Sequence, residues 1–172
     1  SGSLAVRVVQ HVVSGIETTD VRIGLSDVQG DLSAGGASVT LSQGQGAVLL
    51  RNQAGIGSGF AVQLEGDVAF NAGSAVTLTT ESLQLTLNRW GEDLEESVLT
   101  AEGFYDVDLV DNESRLRGRM SASIADVLNV SGDVLVELSN NQQVTLSDGS
   151  RVQVNQLTLG GADLMASLDV GN

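Results

Sequence analysis

Cysteine, lysine and proline are all missing from this chain, and histidine occurs once. Without cysteine there is no disulfide framework, no thiolate zinc site and no sulfur nucleophile. Without proline, any edge strand has to be guarded by acids, glycine or neighbouring modules. The eight basic residues are all arginine and face 22 acids, for a net charge of −14. A field of that sign repels phosphate backbones and anionic lipid, which speaks against nucleic acid and against membrane insertion. Aromatics are limited to Phe60, Phe70, Trp90, Phe104 and Tyr105, so the core is expected to be thin and aliphatic. No apolar run approaches the ~18 residues that a spanning helix needs. There is no signal peptide and no initiator methionine, and Ser1-Gly2-Ser3 reads as a cloning remnant, so an excised fragment is expected.

What the chain does have is alternation. Val21, Ile23 and Leu25 alternate with Arg22, Gly24 and Ser26. Phe60, Val62 and Leu64 repeat the pattern, as do Leu83, Leu85 and Leu87, then Tyr105, Val107 and Leu109, and later Val144, Leu146, Val152 and Val154. A period of two puts every second side chain on one face, the mark of a half-buried strand. Val62 and Leu85 are therefore expected to point inward. Gly35-Gly36, Gly44-Gln45-Gly46, Gly66-Asp67, Asn71-Ala72-Gly73, Asn140-Asn141, Asp148-Gly149 and Gly160-Gly161 read as turns between the runs. Their spacing predicts about a dozen strands, with Glu92 to Leu99 as a short acidic loop.

The chain also matches itself in part. Leu49-Leu50-Arg51-Asn52 aligns with Leu109-Val110-Asp111-Asn112, Gly59 with Gly118, and Gly66-Asp67-Val68 with Gly132-Asp133-Val134. Val21 to Leu25 matches Leu83 to Leu87 and Leu164 to Leu168. Shared order suggests a repeat, divided as the tail of one unit at 1–18, a first unit at 19–81, a second at 82–162 and the start of another at 163–172. The first and last strands, Leu4 to Val13 and Leu164 to Val170, would then be edges.

Thr18 to Leu25, Ala37 to Leu41, Gly46 to Leu50, Gly59 to Phe70, Ser74 to Leu78, the Gly-Asp-Val-Leu-Val run from Gly132, Asp148-Gly149-Ser150 and Leu157 to Gly161 together carry a resemblance. Their order resembles the degenerate β-rich repeats of giant secreted or surface adhesin-like proteins of environmental bacteria. The chain departs from that pattern in having less threonine and no proline. The resemblance implies an extended β architecture with a stalk or matrix role at the cell surface or outside the cell, and carries over no catalytic residue.

Several residues are of types that could carry chemistry. His11 lies in the apolar run Val8 to Val13 and suits a core or edge position better than a base. Trp90, beside Arg89 and Glu92, could serve a sugar platform but reads better as a cap on a core edge. Asp106, Asp108, Asp111, Asn112 and Glu113 form the densest oxygen cluster, which suits weak calcium binding in type but not in spacing. Glu92, Asp93, Glu95 and Glu96 form a second acidic run. Arg115, Arg117 and Arg119 alternate on one face, and in so acidic a chain they are expected to pair with acids across strands. Gly44-Gln45-Gly46 lacks the Gly-Lys-Ser/Thr and helix of a phosphate loop.

The expectation from sequence is an all-β, mainly antiparallel protein in an elongated sandwich- or barrel-like repeat array, with a β-solenoid as the alternative. No catalytic, cofactor or metal residue is assigned. The expected role is a non-catalytic structural or adhesive segment, with a discrete glycan- or protein-binding module as the alternative. Expected partners are neighbouring copies of the same repeat, with self-association through edge strands.

Overall fold

The computed structural model describes residues 1–34, 36–55, 57–73, 75–125 and 127–169. Ten strands follow one another: β1 (Ser3–Val13), β2 (Ile16–Ala34), β3 (Ala37–Gln53), β4 (Gly57–Asn71), β5 (Val76–Arg89), β6 (Leu94–Thr100), β7 (Gly103–Leu109), β8 (Ser114–Ile124), β9 (Leu128–Thr145) and β10 (Arg151–Leu168). Eight of them form one sheet in the order β1-β2-β3-β4-β5-β8-β9-β10, and β6 and β7 form a separate hairpin. Every neighbouring pair is antiparallel. The all-β antiparallel class is therefore as the alternation predicts. Consecutive strands pair as a meander rather than as solenoid rungs, and β1 and β10 end the sheet as open edges, so no barrel closes.

The strands are longer than the turn signals suggest. Asn71-Ala72-Gly73 does turn the chain, closed by the Ala72 amide donating to the Val76 carbonyl at 2.8 Å. Asp148-Gly149 does so too, with the Gly149 amide donating to Leu146 at 2.9 Å. But Gly44-Gln45-Gly46, Gly66-Asp67, Asn140-Asn141 and Gly160-Gly161 lie inside β3, β4, β9 and β10. Glycine inside a strand marks a bulge or a close approach as readily as an end, so the sequence cut several strands in two. Gly35 and Val170 lie outside the described residues. Glu92 to Leu99, expected as a loop, contains most of β6.

A line of register shifts crosses the sheet. It falls between Leu25 and Val28 in β2, Ser42 and Gln45 in β3, Glu81 and Gln84 in β5, and Ala162 and Met165 in β10. At each shift one residue has left-handed backbone: Asp27 (φ 49), Gln43 (φ 54), Ser82 (φ 52) and Asp163 (φ 50). An extra residue in a strand would throw all later side chains to the opposite face. In these strands the apolar parity changes at the same point. Leu25 gives way to Val28 and Leu32, Leu41 to Val48 and Leu50, Leu78 to Leu83 and Leu85, and Leu159 to Leu164 and Leu168. In β4, β8 and β9 the parity runs through unchanged, from Phe60 to Phe70, Leu116 to Ile124 and Leu128 to Leu138. Bulge and phase slip cancel, and the apolar positions of all eight strands stay on one face, with Glu17 and Arg89 at one end of it. The other face carries the polar and charged positions.

The hairpin β6–β7 lies on the polar face, against β1 to β5. Its inward positions are Leu94, Glu96, Val98, Tyr105, Val107 and Leu109, and these meet Ala47, Leu49, Ala61 and Trp90 in the buried core. Gly24 lets β6 come down onto β2: a Cβ there would stand 2.1 Å from the Leu99 carbonyl oxygen. Val62 and Leu85, expected inward, lie instead on the opposite, apolar face and are half-buried by their neighbours in the sheet.

The sheet is continuous across residues 18/19, 81/82 and 162/163, which fall inside β2, β5 and β10. Of the internal matches, Gly66-Asp67-Val68 and Gly132-Asp133-Val134 occupy like places, in β4 and β9 beside register shifts. Leu49 to Asn52 lies in β3 of the sheet, whereas Leu109 to Asn112 leaves the small hairpin.

The left-handed backbone at Gln43 carries a steric penalty of roughly 1–2 kcal/mol for a side chain without a local hydrogen bond. Gln43→Gly should raise stability by about 0.5–1 kcal/mol in urea denaturation, the steric relief outweighing the entropy of glycine. Gln45→Gly, two residues further on and outside the left-handed region, should lower it.

Candidate functional site

The strongest concentration of charge is a cluster beneath the hairpin. Alternation along β2 sends Thr18, Asp20, Arg22, Gly24 and Ser26 to the polar face, and β6–β7 then covers them. Asp20 is 1% exposed. Arg51 of β3 grips it with two bonds, Nε to Oδ1 at 2.9 Å and Nη2 to Oδ2 at 3.2 Å. Arg22 adds Nη1 at 3.8 Å from Oδ2. Each arginine has a second acid supplied by or just before the hairpin: Arg51 reaches Glu92 at 3.2 Å and Arg22 pairs with Glu96. The Arg51 guanidinium also stacks 4.1 Å over the Trp90 ring. Its pKa is raised by the hydrogen bond to Asp20, against the cost of burial. A buried carboxylate shared by two arginines, each tied to the covering layer, works as a clamp.

Two amides continue it. Asn88, fully buried, donates to the carbonyls of Glu92 at 3.0 Å and Leu109 at 3.4 Å and accepts the Trp90 amide at 2.8 Å. Gln63 accepts the Asp108 amide at 3.1 Å and donates to the Tyr105 hydroxyl at 3.3 Å. These bonds give main-chain groups of the hairpin partners that a two-stranded ribbon cannot supply itself. Burial raises the Tyr105 pKa, and the Gln63 donor works in the opposite direction.

The residues weighed from sequence are placed as follows. His11 sits on edge strand β1 with Nε2 4.0 Å from Asp20 Oδ2. Trp90 caps the core just after β5, as its neighbours suggested. Glu92 and Glu96 join the clamp, while Asp93 accepts the Asp111 amide at 2.7 Å and Glu95 is exposed. The Asp106 cluster is split. Asp106 and Asp108 face outward from β7, Asp106 taking the Ser97 hydroxyl, whereas Asp111 holds Asn112 and Glu113 reaches Arg115 at 2.9 Å. Among the described residues no group of three or more histidine or acidic side chains is placed to hold a metal ion. Gly44-Gln45-Gly46 is strand, with Gln45 bonded to Glu65.

The arginine row lies in β8, in an open depression of about 800 Å³ over β5, β8, β9 and β10. Arg115 bonds Glu137 across the strand pair at 3.4 Å, as expected from the charge balance. Arg117 donates to Gln84 at 2.6 Å, and Arg119 stands in register with Glu81 and Asp133. Glu65, Glu81, Asp133 and Glu137 share the depression with the three arginines, so an anion would meet as much repulsion as attraction.

Sequence reasoning missed Asp20, Arg51, Gln63 and Asn88. Each sits at an ordinary polar position of an alternating strand. Nothing local says that the β6–β7 hairpin will fold back over it.

Two outcomes follow. Asp20→Asn leaves Arg51 and Arg22 buried with one fewer charge to meet them and should cost about 3 kcal/mol in chemical denaturation. The single tyrosine allows a clean absorbance titration: Tyr105 should ionise above the ordinary value near 10, and Gln63→Ala should push it higher still. The sign for stability follows from linkage. The folded state holds the phenolic proton longer than the unfolded chain, so stability falls as pH rises from about 10 through the folded pKa.

No protein-family model matches the chain, and no match was found among curated proteins or solved structures.

Proposed function

We propose that the chain is a non-catalytic structural or adhesive segment, a stalk or spacer of a large secreted or surface protein. The observation that carries this reading is the state of its charged groups. The charged cluster beneath the hairpin is spent on its own ion pairs and ties a covering layer to a sheet. A hydrolytic or binding centre would leave a carboxylate or guanidinium free to face a substrate. Eight strands of up to 19 residues, joined side by side, form a broad ladder of lateral hydrogen bonds suited to bearing load. The net charge of −14 keeps such a surface hydrated. The resemblance to adhesin-like repeats supports the same role, with like units beside β1 and β10 as partners. The alternative, a glycan- or protein-binding module, has the arginine-lined depression in its favour.

The reading is tested by pulling. Cysteines introduced at Ser3 and Asp169 give unique handles, because the chain has no other thiol. A load-bearing sheet should give way in one cooperative step releasing about 55 nm, at ~3.3–3.6 Å per extended residue. Strand-by-strand peeling at low force would refute the load-bearing role. A soluble oligosaccharide that raises the melting temperature, with loss of the effect in Arg117→Ala, would favour the binding module instead.

A further inference from the structure

Among the described residues, the face of the sheet opposite the hairpin has no second layer. Register places Leu4, Val6 and Val8 of β1 in line with Leu25, Ile23 and Val21 of β2, and Ile23 and Val21 with Val48 and Leu50 of β3. The row continues through Val62 and Leu87, and through Leu64, Leu85, Leu116, Val136 and Leu159. Across β2 to β9 the charged positions that fall on this face, Glu17 and Arg89, lie at one end. Arg89 is turned there onto the carbonyls of Asn88 and Glu113. Val6 remains 56% exposed and Leu159 71%.

The chain exposes 10752 Å². A compact monomer of 17.7 kDa exposes about 7,900 Å². The excess of roughly 2,800 Å², shared between the two faces and the open edges of a sheet one layer thick beyond the hairpin, leaves room for the ~800 Å² that each partner contributes to a standard interface.

We propose that this apolar face is the interface with a second copy of the chain, the two sheets stacking face to face into a two-chain sandwich. The charge distribution selects that occupant. Two chains of −14 repel each other wherever their acids meet, and this face is where they can approach without opposing charges. A face of uniformly apolar rows, charged only at one end, can also meet its own copy, as a two-fold interface requires. Lipid is a poorer occupant: membrane-facing strands carry girdles of aromatic residues, tryptophan and tyrosine foremost, at both interfaces, whereas this face has Phe60 and Phe70 of a single strand, and the sole tryptophan and tyrosine both lie on the other side, in and against the hairpin core. An apolar hollow of about 240 Å³ along the bulge line, between Leu25, Leu41, Leu64, Val68 and Leu85, can receive a large side chain from the opposing sheet. The proposal rests on this face alone and not on the adhesin-like reading.

Sedimentation equilibrium of the 172-residue chain should give twice the mass of one chain across the micromolar range. Val62→Asp and Leu85→Asp should each raise the dissociation constant about 30-fold or more, as for residues at the centre of an interface. Thr79→Asp, exposed on the polar face, should leave it unchanged. Circular dichroism checks that each variant folds. If the aspartate variants unfold, single-cysteine variants decide: maleimide labelling of Leu85→Cys should slow as concentration rises, and that of Thr79→Cys should not. A monomer at every concentration, fibres that grow from the edges and ignore Val62→Asp, or flotation of the wild type with phosphatidylcholine vesicles would each overturn the proposal.

Discussion

Everything in this sheet depends on keeping two faces chemically distinct over strands up to about 60 Å long. Strict alternation does that over short runs, but a twisted sheet of eight long strands accommodates strain through bulges. Each bulge here adds one residue, and the sequence answers with one slip in its apolar phase at Asp27, Gln43, Ser82 and Asp163. Without the slip, half of each of these four strands would show its leucines and valines to the ion pairs. Without the bulge, the slip would do the same. The left-handed residues are therefore the points on which face separation turns, and their steric penalty is small beside the burial they preserve.

Face separation creates a second problem, because the hairpin covers the polar face and not the apolar one. A covered polar face must be satisfied group by group. Asp20 is neutralised by Arg51 and Arg22, and each arginine is anchored to an acid brought by the covering layer. Asn88 and Gln63 fill main-chain bonding positions at the hairpin's own edge. Ala47, Leu49 and Ala61 provide the apolar floor between these polar contacts, and small side chains there allow the hairpin to come close. The result is specific rather than merely greasy: a hairpin displaced by one residue would cost Arg22 its Glu96, Asn88 its bond to the Leu109 carbonyl and Gln63 its bonds to Asp108 and Tyr105.

The two features fit a protein whose surfaces are for contact. The polar face is strongly acidic, with its buried carboxylate paired within the chain, and the apolar face is broad and free of charge except at one end. Such a division suits lateral and facial packing of like units better than capture of a small substrate, which calls for convergent groups in a concave setting.

Much of this was written in the amino-acid order. Alternation determined the all-β class, because a period of two admits no helix. The scarcity of aromatics determined a thin aliphatic core, and the acid excess foretold the pairing of Arg115 with acids but not the bond of Arg117 to Gln84. Strand length was less legible, since Gly66-Asp67 and Gly160-Gly161 read alike as turns or as interruptions inside a strand, and only pairing with β5 or β9 distinguishes the two. Which face becomes the core was not legible at all. Val62 and Gln63 alternate in β4 with equal claims, and apolarity favours Val62. The structure buries Gln63 and leaves Val62 half open. The reason is that β6–β7 brings its own apolar side chains together with Glu96, so the layer it forms is complementary to a polar face with a few small apolar gaps. That match is made between segments distant in sequence, and only the tertiary structure could decide it.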